Sequence, residues 1–172
     1  MEKTQYKKLL FDIACLAVTC DGHIDEREIK VLQDIEKSTT YFEDIDLTRK
    51  LNRFAESFKN NPEEIIEEII YKLKGSILNP VEEMLVLEIA LRLVYSDVKI
   101  DPKEIDFLQS IRACLSIDDE IITQRFGVID FLINTKENIA SSDKKNSDRI
   151  KSVDMASLEN MYADLGAKKE TE

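Results

Sequence analysis

The amino-acid sequence predicts an all-α fold, a compact bundle of about seven helices that contains an internal pseudo-repeat. Apolar residues recur at helical spacing along most of the chain, whereas the strict alternation typical of strands is hard to find. Runs rich in Leu, Ile, Glu and Lys favour helix, and four Gly and three Pro leave few breaks. With 43% apolar and 34% charged residues, the chain has the composition of a globular protein rather than a disordered one.

The repeat is one passage that occurs twice at a constant offset of 76 residues. Ile13–Ile35 reads IACLAVTCDGHIDEREIKVLQDI, and Ile89–Ile111 reads IALRLVYSDVKIDPKEIDFLQSI. Self-similarity at a fixed spacing indicates a structural unit that is used twice. Packing explains the aliphatic positions that both copies keep. Three acidic positions are kept as well: Asp21/Asp97, Asp25/Asp101 and Glu28/Glu104.

The first part of the chain predicts three helices. The first runs from about Thr4 to Thr19 and presents one apolar face, and the Asp21-Gly22 turn follows it. Asp25 then has the character of an N-cap, and Glu28 occupies the capping-box position of the second helix. A third helix is predicted from about Asp44 to Phe58, where apolar residues again form a stripe.

Proline marks the beginning of each of the next two helices. Asn61-Pro62 opens the fourth helix, and Asn79-Pro80 opens the fifth in the same way. Between Met84 and Val94 the fifth helix is apolar nearly all round, apart from Glu88 and Arg92. A helix of that kind is expected in the centre of the domain.

The last part of the chain contains a sixth helix, a broken helical stretch and a polar segment. Asp101-Pro102 opens the sixth helix, and Asp118 to Asn134 predicts one broken or two short helices with Gly127 at the break. Beyond that point the sequence NIASSDKKNSDR is typical of a linker. We therefore divide the chain into a helical domain, residues 1–138, and a linker with a C-terminal amphipathic helix, residues 139–172.

The C-terminal segment has apolar residues at helical spacing: Val153, Leu158, Met161, Tyr162 and Leu165. Such a helix either folds back on the domain or docks on a partner. Folding back is favoured because short isolated helices are marginal in water.

Two interpretations compete for the acidic pattern that the loops share, Asp-x3-Asp-x2-Glu. In the first, the acids cap helices. Asp25 and Asp101 are N-caps, and Glu28 and Glu104 complete capping boxes. This accounts fully for the second aspartate and the glutamate of each loop, and it requires no ligand.

The first aspartate of each loop favours the second interpretation, a site for a divalent hard cation such as Ca²⁺, Mg²⁺ or Mn²⁺. Asp21 and Asp97 follow helix C-termini, where the macrodipole disfavours an anion. Three carboxylates within eight residues also repel one another unless a cation offsets them. A standard EF-hand is not expected, because its first two ligand positions would be Ala17 and Thr19 in the first copy, with Leu93 and Tyr95 in the second.

At this point the residues resemble a known family. The helix, the Asp-Gly-x-Ile-x3-Glu loop, the following helix and their second occurrence near residue 97 resemble the tellurite-resistance TerB family and the related N-terminal domain of DjlA-type co-chaperones. The resemblance covers about Lys7 to Asn134, and Val98 departs from the glycine common in the family. It implies an all-helical domain with an acidic surface proposed to bind divalent metal. By motif position, the implied ligands are Asp21, Glu28, Asp97 and Glu104, with Asp25 and Asp101 as further members.

The net charge and the cysteine content indicate which kinds of partner and which cellular compartment to expect. The net charge of −11 argues against nucleic acid and fits a cation or a basic protein partner. The odd number of cysteines, and the apolar runs around Cys15 and Cys114, predict buried thiols in a reducing compartment. We find no apolar stretch of membrane-spanning length and no signal-peptide core. A cytoplasmic protein is expected, and peripheral association with a membrane complex stays open.

An enzymatic activity is not expected. His23 is the only histidine, nothing beside it suggests a nucleophile–base pair, and no phosphate-binding glycine loop is present. Three functions stay open: a metal-responsive scaffold or interaction module of the TerB type in stress response, a metal-free acidic interaction domain, and a hydrolase that uses the carboxylates. The first is favoured, and cation-dependent stability would distinguish it from the second.

Overall fold

The computed structural model describes residues 1–43 and 45–133 and confirms the all-α prediction. Within these residues it contains seven helices and no strand. The helices are α1 (Lys3–Thr19), α2 (Glu26–Ser38), α3 (Leu47–Asn60), α4 (Pro62–Lys74), α5 (Pro80–Val94), α6 (Pro102–Cys114) and α7 (Asp119–Phe126).

The internal repeat is visible in the helix boundaries. α2 and α6 are each 13 residues long, and their first residues, like their last, are 76 positions apart. Proline stands at the first position of α4, α5 and α6, as the sequence predicts. The backbone N–H at the first position of a helix makes no intrahelical hydrogen bond. Proline, which lacks this N–H, is therefore tolerated there.

The predicted start of α3 is wrong by three residues. The helix begins at Leu47 because Asp46 is its N-cap, and Asp46 Oδ1 accepts a hydrogen bond from the Arg49 N–H at 3.1 Å. The position at which we placed the start, Asp44, lies outside the described residues.

The sequence predicts one broken helix or two short helices after Asp118. Between Asp118 and Ile133 the structure has a single short helix, α7. Gly127 ends α7 with a φ of +83°, a conformation that side chains other than glycine rarely adopt. The chain then continues through turns as far as Ile133.

α5 occupies the centre of the bundle, as its nearly continuous apolar sequence predicts. Every residue from Glu82 to Val94 is buried. Its main packing partner is α1, and the two are joined at one end, where Tyr6 Oη donates to the carbonyl oxygen of Glu82 at 2.8 Å. α2 and α6 also pack on α5, whereas α3 and α4 pack on α1.

The two charged residues that interrupt the apolar run of α5 belong to a buried ion-pair cluster. Glu88 is fully buried, and its carboxylate lies 2.9 Å from Arg92 Nη2, one turn along the helix. Arg125 of α7 reaches the same carboxylate, also at 2.9 Å. Two guanidinium groups thus compensate for the burial of one carboxylate and fix α7 to the central helix.

The predicted domain boundary near residue 138 and the amphipathic segment in residues 139–172 lie outside the described residues. No helix in the described part of the chain is long and apolar enough to cross a membrane.

Candidate functional site

Capping boxes organise the second half of each acidic loop, as the first interpretation predicts. At α2, Asp25 Oδ1 accepts from the Arg27 N–H at 2.7 Å, and Glu28 Oε2 accepts from the Asp25 N–H at 3.0 Å. At α6, Glu104 Oε2 accepts from the Asp101 N–H at 2.6 Å in the equivalent bond. The second aspartate and the glutamate of both loops therefore have a structural role.

The first aspartate of each loop is held differently in the two copies. Asp21 Oδ1 accepts from the His23 N–H at 2.7 Å, and Gly22 between them adopts a φ of +89°. In the second copy, Asp97 Oδ1 accepts from the N–H of Val98 at 2.5 Å. The Val98 side chain is 87% exposed, so the departure from glycine places an apolar residue at the tip of the second loop.

Arg27 joins the two loops. Its Nη2 lies 2.9 Å from Asp25 Oδ2 in its own loop and 2.6 Å from Asp97 Oδ1 in the other. Segments 21–28 and 97–104, which we call the paired acidic loops, therefore face one another on one surface. Sequence reasoning missed Arg27. The available signal was the basic residue at the equivalent position of the second copy, Lys103.

Glu28 and Glu104 are buried among like charges. They are only 5% and 4% exposed. Burial is the main reason that the pKa of Glu28 rises to about 8, and the charges of Asp21 and Glu104 add to the rise. The pKa of Glu104 rises to about 7, again chiefly through burial, with additions from Asp21 and Asp97. The charge of Asp21 thus raises the pKa of the glutamate in both loops, so the charges of the two loops are coupled.

The paired acidic loops fit a hard divalent cation by donor type and by charge. Carboxylate oxygens are the ligands that Ca²⁺, Mg²⁺ and Mn²⁺ prefer. However, no group of three Asp, Glu, His or Cys side chains is gathered closely enough to hold a metal ion within residues 1–43 and 45–133. Capping uses the Oε2 atoms of Glu28 and Glu104, and Arg27 holds two of the aspartates. For a cation to bind between the loops, the aspartates paired with Arg27 would have to move away from it.

An EF-hand is excluded for both loops, as predicted. Ala17 and Thr19 lie in α1, and the Thr19 hydroxyl donates to the carbonyl oxygen of Cys15 at 2.9 Å instead of facing the loop. Leu93 lies in α5, and Tyr95 is the residue that ends it. The first two calcium ligands of such a loop therefore have no counterpart here.

Comparison with protein families gives a match that contains both loops. A family model described as tellurite resistance protein TerB matches residues 9–125. The chain belongs to the TerB family. A search among curated proteins found no match, and a search among solved structures found none either. The matched range begins in α1 and ends in α7, so it includes α2 to α6 completely and most of α1 and α7.

The cysteines of this TerB domain are only partly as predicted. Cys15 and Cys20 are buried, and burial raises the pKa of both thiols well above their ordinary value. Cys20 lies below the paired acidic loops, where Glu104 and Asp21 add to the rise. Cys114, predicted to be buried, is only half-buried because it lies at the last position of α6.

Two other polar features of the TerB domain are exposed to solvent. His23 has a side chain that is 87% exposed, with Nδ1 3.7 Å from Asp21 Oδ2. The acid-rich stretch of α4 is solvent-exposed at all four positions: Glu63, Glu64, Glu67 and Glu68.

Proposed function

We propose that this TerB domain is a non-enzymatic module whose paired acidic loops bind one hard divalent cation, Ca²⁺, Mg²⁺ or Mn²⁺, and present the loaded surface to a protein partner. One observation carries the proposal: two equivalent loops, 76 residues apart in sequence, converge so that their buried glutamates and flanking aspartates share one surface. Helix capping acts within each loop and does not require the two loops to lie beside one another.

Neither Glu28 nor Glu104 forms an ion pair with a cationic side chain within residues 1–43 and 45–133. Glu28 and Glu104 each accept a capping bond through Oε2, which leaves Oε1 with no hydrogen bond from any residue that the structure describes. Their surroundings are acidic. Arg27 forms its ion pairs with Asp25 and Asp97 and acts on Glu28 only from a greater distance. A divalent cation near the glutamates and Asp21 would offset this repulsion.

Thermal unfolding of the full chain with and without Ca²⁺, Mg²⁺ or Mn²⁺ tests the proposal. At about 100 times Kd, a bound cation adds about 2.7 kcal/mol to the free energy of unfolding, which should raise Tm by roughly 5–10 °C. Asp21→Asn should abolish the rise, because Asn keeps an oxygen for the His23 N–H but removes the charge.

Two further variants make the result specific. Asp34→Asn changes an exposed aspartate on α2 and should leave the rise intact. Asp97→Asn shows whether the second loop takes part. The proposal fails if none of the three cations raises Tm of the wild-type chain.

A second candidate is a metal-free acidic interaction domain, and the position of Arg27 favours it. The guanidinium already supplies a positive charge between the loops at 2.6 Å from Asp97. In that case the acidic surface would bind a basic partner, and the association would weaken with salt. Arg27→Gln separates the two functions. It should tighten cation binding if a cation competes with Arg27, and it should produce no cation response if the domain is metal-free.

The family description supports a role in stress response, and we extend it to this chain as part of the proposal. A binding role fits the thiols better than tellurite redox chemistry does. Burial raises the pKa of all three thiols, although Cys114 is only half-buried, and the thiolate is the reactive form. The partner is expected to be a protein, in line with the net charge of −11.

A further inference from the structure

A groove separate from the paired acidic loops lies between α1, α3 and α4. It encloses about 810 Å³, enough for several side chains of a docked segment. Its floor is apolar and aromatic: Phe11, Ile45, Phe54, Ile65 and Ile69. Exposed apolar surface of this extent is typical of a site that binds another segment or molecule.

The rim of the groove is basic, in contrast to the rest of this acidic chain. Five cationic side chains line it: Lys7, Lys8, Lys50, Arg53 and Lys72. Three acids are also present: Asp12, Glu43 and Glu68. Glu68 and Lys72 pair with one another at 2.5 Å, which leaves four cationic side chains beside Asp12 and Glu43, and Asp12 is partly buried. The occupant should therefore combine an apolar stripe with negative charge.

The chain itself contains a segment with that chemistry. It continues for 39 residues after Ile133, and residues 153–166 read VDMASLENMYADLG. Leu158, Met161, Tyr162 and Leu165 follow the i, i+3, i+4, i+7 spacing of a helix stripe. The same residues carry three acids and no base: Asp154, Glu159 and Asp164.

We propose that residues 153–166 fold back as an amphipathic helix and dock in this groove, with their apolar stripe on the aromatic floor and their acids against the basic rim. The linker is long enough. The 19 residues between Ile133 and Val153 have a root-mean-square span of about 25 Å as a flexible chain and several tens of ångströms when extended. A tether of this length gives millimolar effective concentration, so weak contacts suffice.

Another apolar groove lies between α1, α4 and α6, but it fits the segment less well. It encloses about 440 Å³ and has only two basic residues, Lys59 and Lys103, beside Asp106. The larger groove is preferred because its charge complements the three acids. The docking does not depend on the cation site, since none of the six acids of the paired loops lines the groove.

Hydrogen exchange of the full-length chain tests the docking. Amides in residues 153–166 should exchange at least about tenfold more slowly than in an unstructured peptide. Lys50→Glu with Arg53→Glu should remove this protection, because it reverses two exposed charges on the rim of the groove. Adding Glu159→Lys and Asp164→Lys to that variant should restore it.

Matched controls decide among the alternatives. Lys30→Glu with Lys37→Glu reverses two exposed charges on α2 and should leave the protection unchanged. Lys59→Glu with Lys103→Glu tests the smaller groove. If this pair removes the protection and the Lys50 and Arg53 pair does not, residues 153–166 dock in the smaller groove and the proposal is overturned. Protection that disappears on dilution would assign a second copy of the chain. Peptide-like exchange in the wild type would exclude docking altogether. If the groove variant fails to fold, Glu159→Lys with Asp164→Lys alone must lose the protection.

Discussion

Replacing Glu28 by Gln separates the capping role of this side chain from its charge. Gln at the same position keeps a carbonyl oxygen for the hydrogen bond that Glu28 accepts from the Asp25 N–H at 3.0 Å. It removes the carboxyl group, whose pKa burial raises to about 8. The variant therefore measures how much the buried charge destabilises the metal-free domain.

The sign and the size of the effect follow from the raised pKa. The native state binds the Glu28 proton more tightly than the unfolded chain, where glutamate titrates near 4.5. The resulting stabilisation is complete below that value and is lost as the pH rises through about 8. A shift of this size corresponds to a contribution on the order of 3–5 kcal/mol, at about 1.4 kcal/mol for each pH unit.

Urea denaturation of the full chain in EDTA, from about pH 5 to about pH 9, tests this prediction. Glu28→Gln should lose less free energy of unfolding across that range than the wild type and should be the more stable protein at the alkaline end. Glu104→Gln should act in the same direction but less, because the pKa of Glu104 rises only to about 7. Glu64→Gln, at an exposed position of α4, is the control. A pH dependence of Glu28→Gln identical to that of the wild type would refute the reasoning.

Two further predictions concern the interior and the thiols. Glu88→Ala should lower the free energy of unfolding by about 3–5 kcal/mol, because it leaves Arg92 and Arg125 without their shared carboxylate. Urea denaturation measures the loss, with the exposed Glu67→Ala as control, and a loss below about 1 kcal/mol would contradict it. A thiol reagent added to the native protein should modify Cys114 first, because Cys114 is only half-buried whereas Cys15 and Cys20 are buried. Peptide mass mapping during labelling checks the order, and equal rates at all three cysteines would argue against it.

Features that depend on neighbouring residues could be predicted from the sequence. Asp25 and Asp101 were recognisable as N-caps because the capping box is defined within four residues. The start of α3 was misplaced because acidic residues flank Ile45 on both sides, and the one that caps the helix is Asp46.

Features that join distant parts of the chain could not be predicted in this way. Arg125 pairs with Glu88 across 37 residues, and Arg27 reaches Asp97 in the other loop. The repeat indicated that two acidic loops exist, but a repeat does not say whether its copies face one another. Only the packing of α2 and α6 on α5 brings the loops together.

The pairing of α1 with α5 has a consequence for synthesis on the ribosome. Cys15, Leu16 and most of their neighbours in α1 are buried in the finished protein, and the main partner of that helix is α5, which ends at Val94. At about 5–20 residues per second, roughly 4–15 s separate the synthesis of α1 from that of the end of α5. During this interval the apolar surface of α1 lacks its main packing partner, and within the domain only α2, α3 and α4 are available to cover it.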